Sequence, residues 1–395
     1  MMETIVLKCA ICGRGEAAKI LGVCPSCIRK RPEEAEPLIR EAHILAREPY
    51  PLPPEVPRST DRGARRCDLC SNECVIAPGD LGYCGVRKNW GDRIVGLFPG
   101  YGILTTYEDS LPTNCCASWF CPGTLAPPED RKVNVAVFLY GCNFDCLFCQ
   151  NESHRRLHLP PLVSLEALVS RIGANPGAEC VCYFGGSPEP QLPFALRASK
   201  RLLDLEELVG EKDGDGDDDI AGCWSGGLED KVEWGGDGGR RPRICWEMNG
   251  CGNPTLVKRA AELSLRSGGI VKFDLKAFDE NLSLALSGVS NRRAFENFEM
   301  IAEELSLARD APVLTATTLL VPGYVDEAEV EAISEFIAGL SPEIPYSLLV
   351  FHPDFMMRDL PITPRSQAAR CLQAANKRLS RVYLGNKHML AFAPP

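Results

Sequence analysis

The chain has 395 residues, 45% of them hydrophobic, and a formal charge of −10 at pH 7. That allows one large domain with appendages, and no run approaches the ~18–20 apolar residues of a membrane span. The start MMETIVLKCA has no apolar signal region, so a cytoplasmic protein with no membrane partner is expected. The stretch EKDGDGDDD (211–219) holds much of the negative charge, and the remainder is mildly acidic, which argues against nucleic acid as a partner.

Twenty cysteines in a long chain without a secretory signal point to metal rather than disulfides. Residues 1–30 carry Cys9, Cys12, Cys24 and Cys27 as two Cys-x2-Cys knuckles, a zinc-ribbon pattern whose spacing also suits a rubredoxin-like iron site. Residues 31–63 read as a helix near Pro37–Arg47, followed by the extended Pro-rich linker PYPLPPEVPRSTDRG. Residues 64–130 form a second cysteine-rich module. There Cys67, Cys70, Cys74 and Cys84 offer four thiolates for zinc or an auxiliary iron–sulfur cluster. Cys115, Cys116 and Cys121 in NCCASWFCPG fit either an active-site lining or buried packing, while Cys180, Cys182, Cys245, Cys251 and Cys371 look like packing residues.

From 131 to 390, apolar β-rich runs alternate with helical patterns. Strands are expected at 133–140, 180–184, 243–249, 270–276, 313–321 and 346–351, with a short final one at 381–386. Helix starts are marked by Asn253-Pro254, by Asp326 with Glu329, and by Thr363-Pro364, and Gly268 is a stop. The sum is an α/β fold, a partial (β/α)6 TIM-like barrel with N-terminal cysteine-rich metal-binding modules. Residues 211–243, rich in Gly and Asp, interrupt it as a disordered acidic insertion. They are no calcium loop, since counting from Asp213 puts Asp218 where Gly is needed and Trp224 where Glu is needed.

The first barrel strand runs into YGCNFDCLFCQNES, where Cys142, Cys146 and Cys149 share one tight loop. Three soft ligands suit an open metal centre, because a closed structural zinc site takes four. Cys-x3-Cys-x-aromatic-Cys with Phe148 in the aromatic slot resembles the signature of the radical S-adenosylmethionine (radical SAM) superfamily. Gln150-Asn151 and later stretches are similar to the pyruvate formate-lyase activating enzyme branch and its AmmeMemoRadiSam-type relatives.

The resemblance implies a [4Fe-4S] cluster on Cys142, Cys146 and Cys149 with one iron open to S-adenosylmethionine. It implies further cofactor contacts from Gly185, Gly186 and Ser187, from Glu247 and Asn249, from Asp274 and Lys276, and from His352. Ser187 departs from the pattern, which usually has an acid there, and Glu189 follows two places later. Alternation puts Asp274 and Lys276 on one face of their strand. The implied activity is reductive cleavage of S-adenosylmethionine to a 5′-deoxyadenosyl radical that abstracts hydrogen from a protein or small-molecule substrate. The glycine of a glycyl radical enzyme is one candidate. An electron donor such as flavodoxin or ferredoxin and an anaerobic setting go with it. The contrasting expectation is a zinc-stabilised binding protein with a catalytically silent barrel.

Overall fold

The structure, a computed structural model, describes residues 7–112, 115–125, 132–203, 241–305 and 312–394. The expected acidic insertion lies outside the described residues up to position 240.

The N-terminal knuckles sit on the hairpin of β1 (Leu7–Lys8) and β2 (Glu16–Ala17) and at the start of α1 (Pro25–Lys30). Helix α2 (Pro32–Arg47) begins five residues earlier than the sequence suggests, with Pro32 in the first turn, where a missing N–H costs nothing. Two small antiparallel pairs follow, β3 (Arg65–Arg66) with β4 (Val75–Ile76) and β5 (Arg87–Asn89) with β6 (Ile94–Gly96).

The barrel then runs β7 (Tyr101–Ser110), α3 (Pro122–Leu125), β8 (Val133–Leu139), β9 (Leu162–Ser164), α4 (Leu165–Gly173), β10 (Ala178–Gly185) and α5 (Leu192–Leu202). It continues with β11 (Arg243–Met248), α6 (Pro254–Ser267), β12 (Val271–Asp274), α7 (Glu280–Ser287), α8 (Arg292–Leu305), β13 (Leu314–Leu320), α9 (Glu327–Leu340), β14 (Tyr346–Val350), α10 (Arg365–Asn376) and β15 (Val382–Gly385). Strands β8, β10, β11, β12, β13, β14 and β15 lie side by side in chain order, all parallel. Helical crossovers between parallel neighbours produce this arrangement.

All six expected barrel strands and the short seventh are present. The unexpected element is β7, which pairs antiparallel with β8 and carries β9 on its other edge. Residues 101–110, grouped by sequence with the second cysteine module, thus belong to the barrel sheet. Their run YGILTTYEDS has β-branched and aromatic residues but no continuous apolar stretch.

The capping signals hold at two helices. Asn253 accepts from Thr255 N at 3.0 Å, and Gly268 ends α6 in the left-handed conformation. Asp326 accepts from Glu329 N at 3.2 Å. Thr363 does not cap α10; its hydroxyl donates to Leu320 O and accepts from Phe351 N, tying two strand ends together. The N-terminal unit docks on the barrel through Tyr324, whose hydroxyl accepts from Ala18 N at 2.9 Å and donates to Val23 O at 3.0 Å. Arg29 paired with Glu329 at 3.0 Å adds to that contact. No helix among the described residues is long and apolar enough to cross a membrane.

Candidate active site

A cavity of about 490 Å³ occupies the inside of the curved sheet. Six strands reach it with alternate residues: Tyr107 and Asp109, Asn134 and Ala136, Cys182 and Phe184, Lys272 and Asp274, Thr317 and Leu319, Tyr383 and Gly385. This is the period of two that a pleated strand imposes. The strands are apolar overall, yet their interior positions are largely polar, and those positions carry the chemistry.

Cys142, Cys146 and Cys149 all line the cavity at the C-terminal strand ends, with Phe148 beside them. Their loop is bolted from below by Asp145, which is fully buried. Its carboxylate pairs with Arg155, with Arg47 Nη1 at 3.3 Å and with His43 Nδ1 at 2.8 Å. Burial works to raise the Asp145 pKa, but the His43 hydrogen bond and the Arg155, His43 and Arg47 charges outweigh it. The carboxyl therefore titrates well below its ordinary range. His43 and Arg47 both come from α2, so a helix that looks like a spacer in the sequence clamps the cysteine loop. Backbone bonds from Asp145 N to Ser287 O (2.8 Å) and Leu147 N to Leu286 O (3.0 Å) complete the fixation.

Gly185 and Gly186 cross directly under this loop. Gly185 has φ +114°, and a Cβ there would lie 2.7 Å from Leu139 O. A Cβ on Gly186 would run into Gly141 O, far inside van der Waals contact. Gly186→Ala is expected to push the Cys142 loop out of place and to destabilise by about 3 kcal/mol, the upper range of overpacking. Chemical denaturation together with iron per chain after anaerobic reconstitution checks it.

Ser187 also lines the cavity and donates to Glu189, which is wholly buried behind it and accepts from Gly250 N at 2.8 Å. Asn249 Nδ2 donates to Ser187 Oγ at 3.0 Å and to Asn143 Oδ1 at 2.8 Å, joining the third strand end to the cysteine loop. Asp274 and Lys276 form an ion pair facing the cavity, with the Lys276 ammonium 5.8 Å above the Phe148 ring. Burial opposes the charge on Lys276, but Asp274 and the Cys146 thiol hold its pKa above the usual value. Glu247 lines the cavity as well. His352 does not: it is 53% exposed and turns outward to Asp354 at 3.0 Å. Its place in the His-Pro turn aims it at solvent, so it leaves the set expected from the sequence.

The model of the radical SAM superfamily matches residues 136–337, half of the chain, from within the first parallel strand into α9, and so includes the cysteine loop and the Asp274–Lys276 pair. The chain belongs to the radical SAM superfamily. It is 23% identical over 334 residues to an uncharacterized protein of Methanocaldococcus jannaschii, covering 81% of each chain. Over 115 residues it is 35% identical to the isethionate sulfite-lyase activating enzyme of Desulfovibrio desulfuricans, 29% of this chain and 34% of that one. Among solved structures, it resembles a domain of the pyruvate-formate lyase-activating enzyme from Bacteroides vulgatus at 17% identity. The TM-score is 0.35, over 53% of this chain and all of that domain. Streptococcus suis SuiB bound to its precursor peptide SuiA matches at 13% identity and TM-score 0.43, over 65% of this chain and 49% of that one.

The family's [4Fe-4S] cluster and S-adenosylmethionine can be tested against the donors present in this radical SAM barrel. Three thiols, buried at Cys142 and Cys146 and half-buried at Cys149, face one cavity with a lysine, a donor set that suits an anionic cluster beside a carboxylate-bearing ligand. Two cavity-lining polar atoms, His154 Nδ1 and Thr317 Oγ1, are buried with no hydrogen-bond partner among the described residues. Such atoms are costly unless something in the cavity satisfies them. Burial, aided by Arg155, lowers His154 to about 3, leaving a neutral ring with an open nitrogen. The residues fit the groups. Sequence reasoning missed His154, although it stands only five positions after Cys149.

The far end of the radical SAM cavity is closed by the segment 115–125. Trp119 stacks on Tyr383 (5.5 Å, 18°) and donates to Ser347 Oγ at 3.0 Å, while Phe120 and Ala117 pack with Cys180, Cys245 and Ile270. This segment presents Cys115 and Cys116 to the cavity, within 4.8 Å of Glu247. Lys272 stands among them, its Nζ 3.3 Å from Cys115 Sγ, 3.1 Å from Cys182 Sγ and 3.2 Å from Glu247. A hydrogen bond from Cys116 and then the Lys272 charge bring the Cys115 thiol down to about 7 against the effect of burial.

The question the sequence leaves about Cys115 and Cys116 is thus answered by position, and Cys182 proves to line the cavity as well. Lys272 lies two residues before Asp274 and four before Lys276, so strand alternation was the signal that could have found it. Lys272→Met should slow iodoacetamide labelling of Cys115 at pH 7 by roughly fivefold for the first unit of pKa rise and up to about tenfold for each further unit. Peptide-resolved mass spectrometry measures that rate.

The N-terminal quartet is compact: the sulfurs of Cys9, Cys12, Cys24 and Cys27 lie within 4.8 Å of one another, with Cys12 and Cys24 at 3.8 Å. Cys67, Cys70, Cys74 and Cys84 are all buried near the underside of the Cys142 loop.

Proposed function

We propose that the chain is a radical SAM enzyme of the activating-enzyme type, with Cys142, Cys146 and Cys149 holding the [4Fe-4S] cluster. When bound, the cluster supplies the electron that cleaves S-adenosylmethionine to methionine and a hydrogen-abstracting 5′-deoxyadenosyl radical. The observation that carries this reading is the convergence of those three thiols with the Asp274–Lys276 pair on one enclosed cavity.

The chain's own residues then divide the work. Gly185 and Gly186 bring backbone close enough to meet the ammonium group, with Ser187, backed by Glu189, as the polar neighbour. Lys276 meets the carboxylate and Asp274 the ribose hydroxyls. Asn249 and Glu247 orient the ligand from the third strand. Phe148 covers one side, and the plug around Trp119 keeps water from the far end, as radical chemistry requires. Cys9, Cys12, Cys24 and Cys27 hold zinc in the docked N-terminal unit, since a tetrahedron of 2.3 Å zinc–sulfur bonds spaces its sulfurs about 3.8 Å apart.

The stretch similar to an isethionate sulfite-lyase activating enzyme supports hydrogen abstraction from a protein glycine as the first substrate to test, with a small molecule second. The electron comes from a one-electron donor such as flavodoxin or ferredoxin. Anaerobic protein given S-adenosylmethionine and dithionite should form 5′-deoxyadenosine and methionine in equal amounts by chromatography. Protein that binds metal yet forms neither would favour the silent barrel.

A further inference from the structure

Outside the cavity, Cys67, Cys70, Cys74 and Cys84 form a second buried thiol cluster with no part in the reading above. The short β3–β4 pair brings Cys67 and Cys74 together, with Cys67 N donating to Cys74 O at 2.8 Å. Cys70 sits on the turn between them. Gly85, at φ +77° between Leu52 and Leu157, turns the chain so that Cys84 joins the set. Backbone amides point at the sulfurs: Tyr83 N at 3.4 Å from Cys74 Sγ, Asn72 N toward Cys70 and Val86 N toward Cys84. Cys67, Cys70, Cys74 and Cys84 are all buried. Four buried cysteines gathered in one small unit of a long chain are the pattern of a metal centre.

Spacing selects the kind of centre. Zinc draws its four sulfurs to about 3.8 Å, and the Cys9 quartet has that geometry. Among the described residues, thiols converge within 4.8 Å in the Cys9 quartet and at Cys115 and Cys116, but not in the Cys67 set. The sulfurs of Cys142, Cys146 and Cys149 do not all converge within that distance either. A four-iron cube keeps its ligands apart because each cysteine binds a different iron.

We propose that Cys67, Cys70, Cys74 and Cys84 hold a second [4Fe-4S] cluster rather than zinc. It lies against the first loop: Asn72 Nδ2 donates to Asn143 O at 2.7 Å, and Cys84 O lies 2.9 Å from where a Gly141 Cβ would be. Ser71 N donates to Cys251 O at 2.9 Å, beside the Asn249 strand end.

The test is metal and sulfide analysis of the full chain, purified and reconstituted without oxygen, as wild type and as the triple variant Cys142→Ala, Cys146→Ala, Cys149→Ala. The triple variant should retain about four irons and four sulfides. After reduction it should give an electron paramagnetic resonance signal that S-adenosylmethionine does not shift. Adding Cys67→Ala and Cys84→Ala should remove both. A triple variant with no iron and about two zinc ions, one in each quartet, overturns the inference. The triple variant's counts decide even where the five-fold variant fails to fold. The outcome is independent of the proposed function, which these counts would overturn only if the wild type and the triple variant held the same iron.

Discussion

Cys146→Ala is expected to lower 5′-deoxyadenosine formation by more than about 100-fold, beyond the 10–100-fold typical when only an outer-shell partner of a metal is lost. Cys146 is buried in the middle of the loop, with its sulfur 3.5 Å from Ser287 Oγ and toward the Lys276 charge. Cys142 and Cys149 line the same cavity and are themselves ligands in the proposed reading, so neither is spare to replace it. The N-terminal quartet is built on separate elements, so the variant should keep its metal there. Chromatographic product assay and metal analysis on one preparation check both halves of the expectation.

Asp145→Ala should destabilise the fold by ~3–5 kcal/mol, the cost of breaking a buried ion pair from one side. The cost arises because Arg155 and Arg47 are each only 1% exposed and would keep their charges without a carboxylate. Urea unfolding under anaerobic conditions measures it, and loss of iron should accompany it because the same carboxylate fixes the cysteine loop. The pH dependence follows from the direction of the shift. Asp145 titrates lower in the folded chain than the ~3.9 of an unfolded Asp, so its contribution is complete above pH ~4–5. It is lost as pH falls through the folded value. Asp145→Asn should remove that share of the acid limb and lower stability at neutral pH without changing the slope there.

Much of this was legible in the sequence, and the reason is periodic. Parallel strands covered on both faces write long apolar runs, so VNVAVFLY and VLTATTLLV were readable as strands. Asn253 and Gly268 mark helix ends by local hydrogen bonding alone. The cysteine loop was legible because its ligands are consecutive in the chain. What stayed hidden depends on contacts between distant segments. Nothing local says that His43 and Arg47 reach Asp145 a hundred positions on, or that β7 closes the open edge of β8. Likewise, only the folded sheet shows that the strand carrying Lys272 meets a plug carrying Cys115. His352 shows the converse: a motif match gives a residue's position in the chain but not which way its side chain turns.

The most direct measurement is electron paramagnetic resonance on reduced, oxygen-free protein with and without S-adenosylmethionine, read in wild type and in the triple variant of Cys142, Cys146 and Cys149. A reduced-cluster signal that changes shape when the ligand is added, and is absent from the triple variant, is what the structure leads us to expect. A wild-type spectrum that S-adenosylmethionine leaves untouched, or that survives loss of all three thiols unchanged, would contradict it.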